Sequence, residues 1–544
     1  MLRNLEKYHL YILAVFSGLL LAASWPAHGW AGFSFVALVP LFVIDYFVSK
    51  NERLFSKGSM VIFSFITFLV FNLLTTWWVI NSTVVGALLA FILNSFFMAL
   101  VYGLFHIVRK RLFSNRIGYL SFIFFWIAYE YLHMHWSLSW SWLVFGNVFA
   151  TNYQWVQWYE YTGVFGGSIW LIVVNVLFFD AVIMYLEKAR ISLIIYRILA
   201  AFLLITIPIF SSYKMYWNYQ EKGETVGVVI VQPNIDPYEE QYSTPPEIIV
   251  EHFIDLAKTK IDSNTRLIVG PESALPRKKW EDHFEHYNVI DSLQRFVDSN
   301  SQLSILLGAS TYARAEEGEP LMSGARAFLD DSTAFYYAFN TALMFTSEKE
   351  IQTYHKSVLV PGVEQMPFPK LMKPLEKFAI NLGGTTGSLG VSKTQHTLND
   401  NNQEVRTAPI ICYESIYGGF VGNFVRNGAN LLAIITNDGW WGNTPGYKQH
   451  FEYAHLRAIE YRRDIVRSAN TGKSAFFNQK GDAVQTTNYW EPAVIKKNVR
   501  LNTQLTYYAE KGDYLANVAL FISSLLILIL ISVSLRGNTK SASK

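Results

Sequence analysis

Three side chains of complementary chemistry stand out in the sequence: a carboxylate, an ammonium group and a thiol. In chain order they are Glu272, Lys356 and Cys412, and Cys412 is the only cysteine among 544 residues. A base can take the thiol proton, the thiolate can attack a carbonyl carbon, and a fixed cation can stabilise the oxyanion. These are the components of a cysteine acyl-transfer site. The alternative interpretation is that Cys412 is buried and packs as a small hydrophobe.

Polar residues in the second half of the chain fall where apolar runs end. Glu272, Cys412 and the pair Asn437-Asp438 each come at the end of such a run. In α/β sheets, sites assemble at the carboxyl ends of strands, so residues far apart in sequence can converge there. We expect Glu272 and Cys412 to meet in this way. Asn437 and Asp438 more often turn the chain after a strand, and a direct catalytic role is not expected for them.

The composition divides the chain into two unlike parts. Hydrophobic residues make up 51% of the chain and charged residues 16%, whereas soluble proteins carry about 25% charged residues. No Asp, Glu, Lys or Arg occurs in 8–44, whereas 221–513 is rich in charge. A hydrocarbon core of about 30 Å requires about 20 apolar residues per helix. Eight such spans are predicted, at 9–25, 31–49, 59–79, 84–107, 117–134, 166–186, 191–211 and 515–535.

Basic residues predict the orientation of these spans. Lys and Arg precede the first span and follow the second, fourth, sixth and eighth, whereas the connections after the first, third and fifth contain none. By the positive-inside rule, both termini are cytoplasmic and the domain after the seventh span is outside the cytoplasm. The predicted domains are a seven-helix membrane region at 1–215, a catalytic domain at 216–512, and a C-terminal membrane helix with a short cytoplasmic tail at 513–544.

Short β-branched runs alternate with amphipathic segments within 216–512, which predicts an α/β layered domain. Near-continuous apolar runs such as 226–231 and 431–436 are typical of strands that are covered on both faces. Helices are predicted at 246–260, 285–299 and 447–463. The last of these is expected to carry a polar face made by Lys448, Arg457, Arg462 and Arg463.

The motifs around the three candidate residues are similar to those of a known family. The segments 271–276 (PESALP), 359–361 (LVP, after Lys356) and 412–414 (CYE) occur in the order of the Glu-Lys-Cys triad of nitrilase-type domains. With membrane helices around such a domain, essentially the whole chain resembles the apolipoprotein N-acyltransferases. The segments 437–442 and 467–472 also match later motifs of that family.

This resemblance implies both a fold and a reaction. The fold is an α-helical membrane bundle of eight transmembrane helices plus an α/β nitrilase-like α-β-β-α sandwich. The enzyme would transfer a fatty acyl chain from a membrane phospholipid, through a thioester on Cys412, to the α-amine of the S-diacylglyceryl cysteine of an apolipoprotein. Glu272 would be the general base, and Lys356 would stabilise the thiolate and the oxyanion. Thioester-to-amide transfer is downhill, so no cofactor is implied. The location would be the bacterial inner membrane, with the catalytic domain in the periplasm.

Further site residues follow from the same resemblance. Glu364 would orient Lys356 or relay the amine proton, with a structural ion pair as the alternative. Tyr413 and Glu414 are supporting candidates that have structural alternatives as well. Several apolar side chains beside the expected site would act as lids for entering acyl chains, with core packing as the alternative. These substrate or lid candidates are Met366, Phe368, Trp440 and Trp441.

Two other functions stay open at this point. A membrane-tethered nitrilase-type amidase would use water in place of the amine, and a degenerate domain would serve as a non-catalytic assembly scaffold. The twelve histidines show no spaced ligand set, and one cysteine excludes a thiolate zinc cluster, so no metal site is predicted. The sequence has no basic stripe for nucleic acid. A monomer is the expected state.

Overall fold

A computed structural model describes residues 6–542 of the chain, except 317, 329, 331–332, 349 and 366–387. The chain forms two compact units. One combines Met1–Trp77, Ala87–Asn218 and Asp513–Lys544, and the other combines Trp78–Gly86 with Tyr219–Gly512. The unit boundaries at 218 and 512 lie close to the predicted domain boundaries at 215 and 512. The sequence does not predict that 78–86 belongs to the second unit.

Thirteen α-helices lie within the described residues. In chain order they are α1 (Lys7–Ser24), α2 (Val39–Lys50), α3 (Ser59–Thr76), α4 (Val84–Leu112), α5 (Ser121–His133), α6 (Tyr159–Leu186), α7 (Ile191–Asn218), α8 (Pro246–Lys258), α9 (Asn288–Asp298), α10 (Gly418–Arg426), α11 (Pro445–Tyr461), α12 (Tyr507–Lys511) and α13 (Tyr514–Ala542).

Several helices of the first unit are long and apolar enough to cross a membrane. Seven segments among the described residues meet this condition: Lys7–Ser24, Ala31–Lys50, Ser59–Asn81, Gly86–Leu112, Tyr159–Leu186, Ile191–Asn218 and Tyr514–Arg536. The predicted fifth span, 117–134, contains only the 13-residue helix α5. A helix of that length extends about 20 Å, which is shorter than the hydrocarbon core. The predicted count of eight transmembrane helices is therefore not confirmed.

The described part of the second unit contains fourteen β-strands in two sheets. They are β1 (Glu224–Gln232), β2 (Thr265–Val269), β3 (Leu275–Trp280), β4 (Ser304–Arg314), β5 (Arg326–Ala327), β6 (Phe335–Phe345), β7 (Gln352–His355), β8 (Leu398–Asn399), β9 (Arg406–Ile411), β10 (Leu431–Thr436), β11 (Ile465–Ala469), β12 (Ala475–Phe477), β13 (Ala483–Thr486) and β14 (Ala493–Leu501).

Both sheets are mixed. The first has the order β14-β1-β2-β4-β6-β5, with β3 paired to β4 and β7 paired to β6. The second has the order β13-β12-β11-β10-β9-β8. Each sheet has a parallel centre, made by β1, β2 and β4 in the first and by β9, β10 and β11 in the second. The carboxyl ends of the central strands in each sheet therefore point to one edge.

The side chains of each strand face its two sides in turn, and this alternation explains the layers of the second unit. Val228 and Ile230 of β1 pack in one core with residues of β9 and β10, such as Ile410. Val229 and Val231 point the opposite way and pack with residues of α8 and α9. Successive side chains of a strand face opposite sides, so a strand with both sides covered is apolar throughout. Residues of α10 and α11 share the first core, which gives the predicted helix–sheet–sheet–helix order.

The predicted polar face of the helix at 447–463 is wrong for three of its four residues. Arg457, Arg462 and Arg463 are 0%, 3% and 1% exposed. Arg457 pairs with Glu460 at 2.8 Å, and the Arg463 guanidinium donates to the backbone oxygens of Ala429, Tyr461 and Gln504. These arginines are buried because carboxylate and carbonyl acceptors replace their water.

Candidate active site

The ends of three strands position the predicted triad. Glu272 follows β2, Lys356 follows β7, and Cys412 follows β9. Glu272 is 7% exposed, Lys356 1% and Cys412 8%. Buried charges persist in proteins when they are paired and hydrogen-bonded. The partners of these groups therefore define the chemistry of the site.

Lys356 lies between two carboxylates. Its Nζ is 2.8 Å from Glu364 Oε1 and 3.4 Å from Glu272 Oε1. Burial acts to lower the pKa of Lys356, but Glu364, Glu272 and Cys412 together raise it above the ordinary value. The ammonium group is therefore a permanent cation. Glu364 is the closer partner, and both of its predicted roles, the orienting of Lys356 and a structural ion pair, require this contact.

Asn340 in β6 joins the two carboxylates to each other. Its Nδ2 donates to Glu272 Oε1 at 2.7 Å and to Glu364 Oε1 at 3.2 Å. Its backbone oxygen accepts from the Lys356 N–H at 2.8 Å. One amide thus fixes the Glu272 and Glu364 carboxylates and the backbone of Lys356. Sequence reasoning missed this residue, because an Asn within the apolar run of a strand gives no distinct signal.

The residue that follows β10 also holds the Glu272 carboxylate. The backbone N–H of Asn437 donates to Glu272 Oε2 at 3.0 Å. The Asn437 side chain donates to Gln241 and accepts from Asn470. Asn437 therefore positions the Glu272 carboxylate through its main chain.

Cys412 occupies a strained position at the start of a 3-10 turn, Cys412–Ile416. Its φ is +48°, in the left-handed region that non-glycine residues rarely adopt. Burial and the charge of Glu272 raise the pKa of the thiol well above its ordinary value, and Lys356 opposes this shift. The resting sulfur is therefore a thiol. It needs a base before it can act as a nucleophile.

Glu414 connects the cysteine turn to the lysine segment. Its Oε1 accepts from the Ser357 N–H at 2.6 Å and from the Tyr354 hydroxyl at 2.9 Å. Its Oε2 accepts from the Ile411 N–H at 2.8 Å. Burial raises the pKa of Glu414 to about 7. These contacts fit the structural alternative predicted for Glu414.

The other predicted residues have different surroundings. Tyr413 is buried, and its ring lies 5.3 Å from the Tyr417 ring. Trp441 is half-buried and packs between the rings of Trp78 and His450, at 5.0 and 5.5 Å. Trp440 is half-buried, and its backbone oxygen accepts from the Tyr238 hydroxyl at 2.8 Å. The lid candidates Met366 and Phe368 lie outside the described residues.

One group of side chains in the described part of the chain could hold a metal ion. It consists of His283, Glu285 and His286, whose ligand atoms lie within 4.8 Å of one another. All three are exposed, and none of them contacts the triad. The sequence analysis did not single out this spacing.

The layered fold and the buried carboxylate–ammonium–thiol cluster define a class: cysteine enzymes of the carbon–nitrogen hydrolase type. The family model described as carbon-nitrogen hydrolase matches residues 228–506. The model described as apolipoprotein N-acyltransferase N-terminal domain matches residues 17–177. The chain belongs to the apolipoprotein N-acyltransferase family.

Individual relatives agree with this assignment. The chain is 31% identical over 532 residues to an apolipoprotein N-acyltransferase of Chlorobaculum tepidum, covering 95% of this chain and 96% of that protein. It is 24% identical over 515 residues to one of Geobacter metallireducens, covering 93% and 92%. Among solved structures, an amidase from Nesterenkonia sp. is similar, with 13% identity, a TM-score of 0.35, and coverage of 54% of this chain and 97% of that chain.

Proposed function

We propose that this protein moves a fatty acyl chain from a membrane phospholipid to the α-amine of a diacylglyceryl lipoprotein, through a thioester on Cys412. One observation carries the proposal. A single thiol at the end of β9 shares a buried site with an ammonium group that two carboxylates surround. This is the set of groups that cysteine acyl transfer requires.

In the first half-reaction, Glu272 takes the thiol proton of Cys412. The thiolate attacks the ester carbonyl of the phospholipid, and the carbonyl oxygen becomes an oxyanion beside the Lys356 ammonium. The C–O bond to the glycerol then breaks, and the leaving alkoxide takes the proton from Glu272. The products are a lysophospholipid and a thioester on Cys412.

In the second half-reaction, the α-amine of the lipoprotein attacks the thioester carbonyl. A carboxylate of the site takes a proton from the amine nitrogen, and the C–S bond breaks to release the Cys412 thiolate. The thiolate recovers a proton, and the product is an amide. Both steps use one site in turn, so ping-pong kinetics follow.

Glu364 acts through Lys356 in this scheme. At 2.8 Å it is the nearer of the two carboxylates to Nζ, and its Oε2 accepts from the Val360 N–H at 2.9 Å. Glu364 therefore offers a fixed acceptor for the ammonium group. Glu272 is left available to exchange protons with the thiol and the amine.

We also propose eight membrane crossings, with both termini in the cytoplasm and the catalytic unit in the periplasm. The short helix α5 is preceded by the 3-10 helix Arg116–Leu120. At about 2.0 Å per residue for 3-10 and 1.5 Å for α-helix, the two elements together can extend about 30 Å. The distribution of basic residues supports this orientation. A monomer is proposed as the active species, and the presence of the whole triad in one chain is compatible with it.

The acceptor half of the proposal can be tested with two peptides. Purified protein is incubated with a phospholipid that carries a labelled acyl chain and with a peptide that begins with S-diacylglyceryl cysteine. Label should appear on the free amine in a bond that resists hydroxylamine, and a peptide with an acetylated amine should receive none. Release of labelled fatty acid at the same rate with both peptides would instead identify water as the acceptor, and the protein as a hydrolase.

A further inference from the structure

The Cys412 thiol has a polar neighbour on the adjacent strand that is not part of the triad. Thr436 is the last residue of β10, and the parallel register that pairs Ile435 with Ile411 places it beside Cys412. The Thr436 side chain also acts to lower the pKa of the thiol. The Thr436 hydroxyl also donates to Asp438 Oδ1 at 2.8 Å. Both Thr436 and Asp438 are 0% exposed. Because a hydroxyl has one hydrogen, it cannot donate to the carboxylate and to the sulfur at the same time.

Asp438 has further partners that keep it ionised. Arg467 Nη2 donates to Oδ2 at 2.6 Å, and His450 Nδ1 lies 3.2 Å from Oδ1. Burial acts to raise the pKa of Asp438, but Arg467 and His450 outweigh it, and the pKa is lowered. Tyr447 and Tyr489 also face this charge, which contributes to raising the pKa of each. The carboxylate is thus a strong acceptor for the Thr436 hydroxyl while the sulfur is protonated.

The hydrogen-bonding role of the sulfur changes when it ionises. A thiol can donate its hydrogen to Thr436 Oγ1, whereas a thiolate must accept hydrogen bonds. Asp438 would keep its contacts with Arg467 and His450 if the Thr436 hydroxyl turned to the sulfur. No buried carboxylate oxygen would then lose all of its partners, so the rotation avoids the usual penalty of an unsatisfied group.

We propose that Thr436 is a positioning residue whose hydroxyl turns from Asp438 to the sulfur and thereby stabilises the Cys412 thiolate. The inference rests on the proposed role of Cys412 as the nucleophile. Three charges face the sulfur: Glu272 and Asp438 disfavour the thiolate, and Lys356 favours it. A neutral hydroxyl can stabilise the sulfur both before attack and after the thioester breaks. Lys356 is then available to stabilise the oxyanion.

The test uses the chain's single cysteine. The whole protein is treated with iodoacetamide from pH 6 to 11, and alkylation of the peptide that contains Cys412 is followed by mass spectrometry. Thr436→Val keeps the shape and removes the hydroxyl. Its apparent thiol pKa should rise by about one pH unit, which makes alkylation about tenfold slower at a fixed pH below the pKa. Thr436→Ser, which keeps the hydroxyl, should restore the wild-type profile.

A matched control is available on the neighbouring strand. Thr407 of β9 is also 0% exposed, and its hydroxyl has no hydrogen-bond partner among the described residues. Thr407→Val should leave the profile unchanged. Asp438→Asn should shift it the opposite way, toward lower pH, because it removes a negative charge and releases the Thr436 hydroxyl. Equal profiles for Thr436→Val and Thr407→Val, or slower alkylation in Asp438→Asn, would overturn the inference.

This readout separates the inference from the proposed function. Alkylation requires neither phospholipid nor lipoprotein, and acylation by phospholipid is measured in a separate sample. A shifted alkylation profile in a protein that phospholipid never acylates would support the role of Thr436 and refute the nucleophile proposal. An unshifted profile in a protein that is acylated normally would do the reverse.

Discussion

Each of the two units buries a cluster of charged side chains, and the two clusters differ in the number of carboxylates relative to cations. In the first unit, Asp45 of α2 is 0% exposed and lies 2.9 Å from Arg109 Nη2. The Tyr119 hydroxyl donates to the same carboxylate at 2.6 Å, and His106 contacts its other oxygen. One carboxylate there faces an arginine, a histidine and a hydroxyl. Both of its oxygens have partners.

In the second unit the carboxylates outnumber the cation, because Lys356 faces both Glu272 and Glu364. One carboxylate is sufficient to neutralise the ammonium group, so the other can accept a proton. The Cys412 thiol, the proposed source of this proton, lies within the same electrostatic environment. The comparison suggests that a buried ion pair becomes a reactive site when it holds a carboxylate in excess and a nucleophile beside it.

The largest effect should come from removing the nucleophile. Cys412→Ala should lower transfer by on the order of 10³-fold or more, because no residual group can carry the acyl chain. The melting temperature should change little, since alanine keeps the Cβ and only the sulfur is lost. Transfer of acyl label to the acceptor peptide measures the rate. Activity within tenfold of wild type would remove Cys412 from the mechanism.

Removing the cation should affect both rate and stability. Lys356→Met leaves two carboxylates buried without their partner, which costs about 3–5 kcal/mol of folding free energy when such a pair is broken. Loss of oxyanion stabilisation should lower transfer by about 10²–10³-fold. Thermal unfolding in detergent and single-turnover acylation of Cys412 measure the two effects. A stable variant with normal acylation would contradict this role for Lys356.

The two carboxylates should differ when each is replaced by its amide. Glu272→Gln removes the base and should prevent acylation of Cys412. Glu364→Gln removes a charged hydrogen bond to Lys356 and should slow transfer by only about 10–100-fold. The ratio of the two acylation rates is the measurement. Equal losses of acylation rate in the two variants would contradict the separate roles that are assigned here to Glu272 and Glu364.

The ion pair of the first unit should be structural only. Asp45→Asn should lower the melting temperature, because Arg109 would lose its carboxylate in a buried position. Transfer per folded molecule should stay unchanged. Detergent-solubilised variant and wild type are compared by thermal unfolding and by transfer rate at a temperature where both are folded. A specific loss of transfer would give this cluster a part in catalysis.

The smallest expected effect is on stability and comes from Lys279. This buried cation donates to a backbone oxygen and not to a carboxylate. Lys279 is 2% exposed, and its Nζ donates to the Arg277 oxygen at 2.6 Å. Burial, with a contribution from Arg277, lowers the pKa of Lys279 from 10.5 to about 8. Between these values the unfolded chain binds more protons than the folded one, so stability should rise with pH in this window.

Lys279→Met should therefore raise the melting temperature at pH 7 by about 2–4 °C. The difference between the variant and the wild type should shrink as the pH approaches 10.5. Melting curves at pH 7, 8 and 9.5 test this. A destabilised variant at pH 7 would show that the ammonium group contributes favourable contacts that outweigh its burial.

Local sequence patterns predicted the parts of this molecule that depend on short segments. The apolar run 431–436 is strand β10 to the residue, because continuous apolar residues suit a strand that is covered on both faces. The rule that sites lie at strand ends predicted Glu272 and Cys412 together. Lys356 follows the short strand β7, which the sequence analysis did not predict.

Contacts between residues that are far apart in sequence account for the features that the sequence did not predict. Asn340 and Thr436 lie within or at the end of apolar strands, and only the pairing of distant strands brings them to Glu272 and Cys412. The buried Lys279 stands in a run of basic residues that reads as a solvated surface. The short helix α5 likewise follows from how the chain turns near Leu120 and Met134, which hydropathy does not encode.

The formation of a thioester on Cys412 tests the central claim most directly. Purified protein is incubated with phospholipid alone, and the peptide that contains Cys412 is examined by mass spectrometry. We predict an adduct with the mass of a fatty acyl chain that hydroxylamine removes and that Glu272→Gln does not form. An unmodified Cys412 peptide from a protein that nevertheless completes acyl transfer would contradict the account.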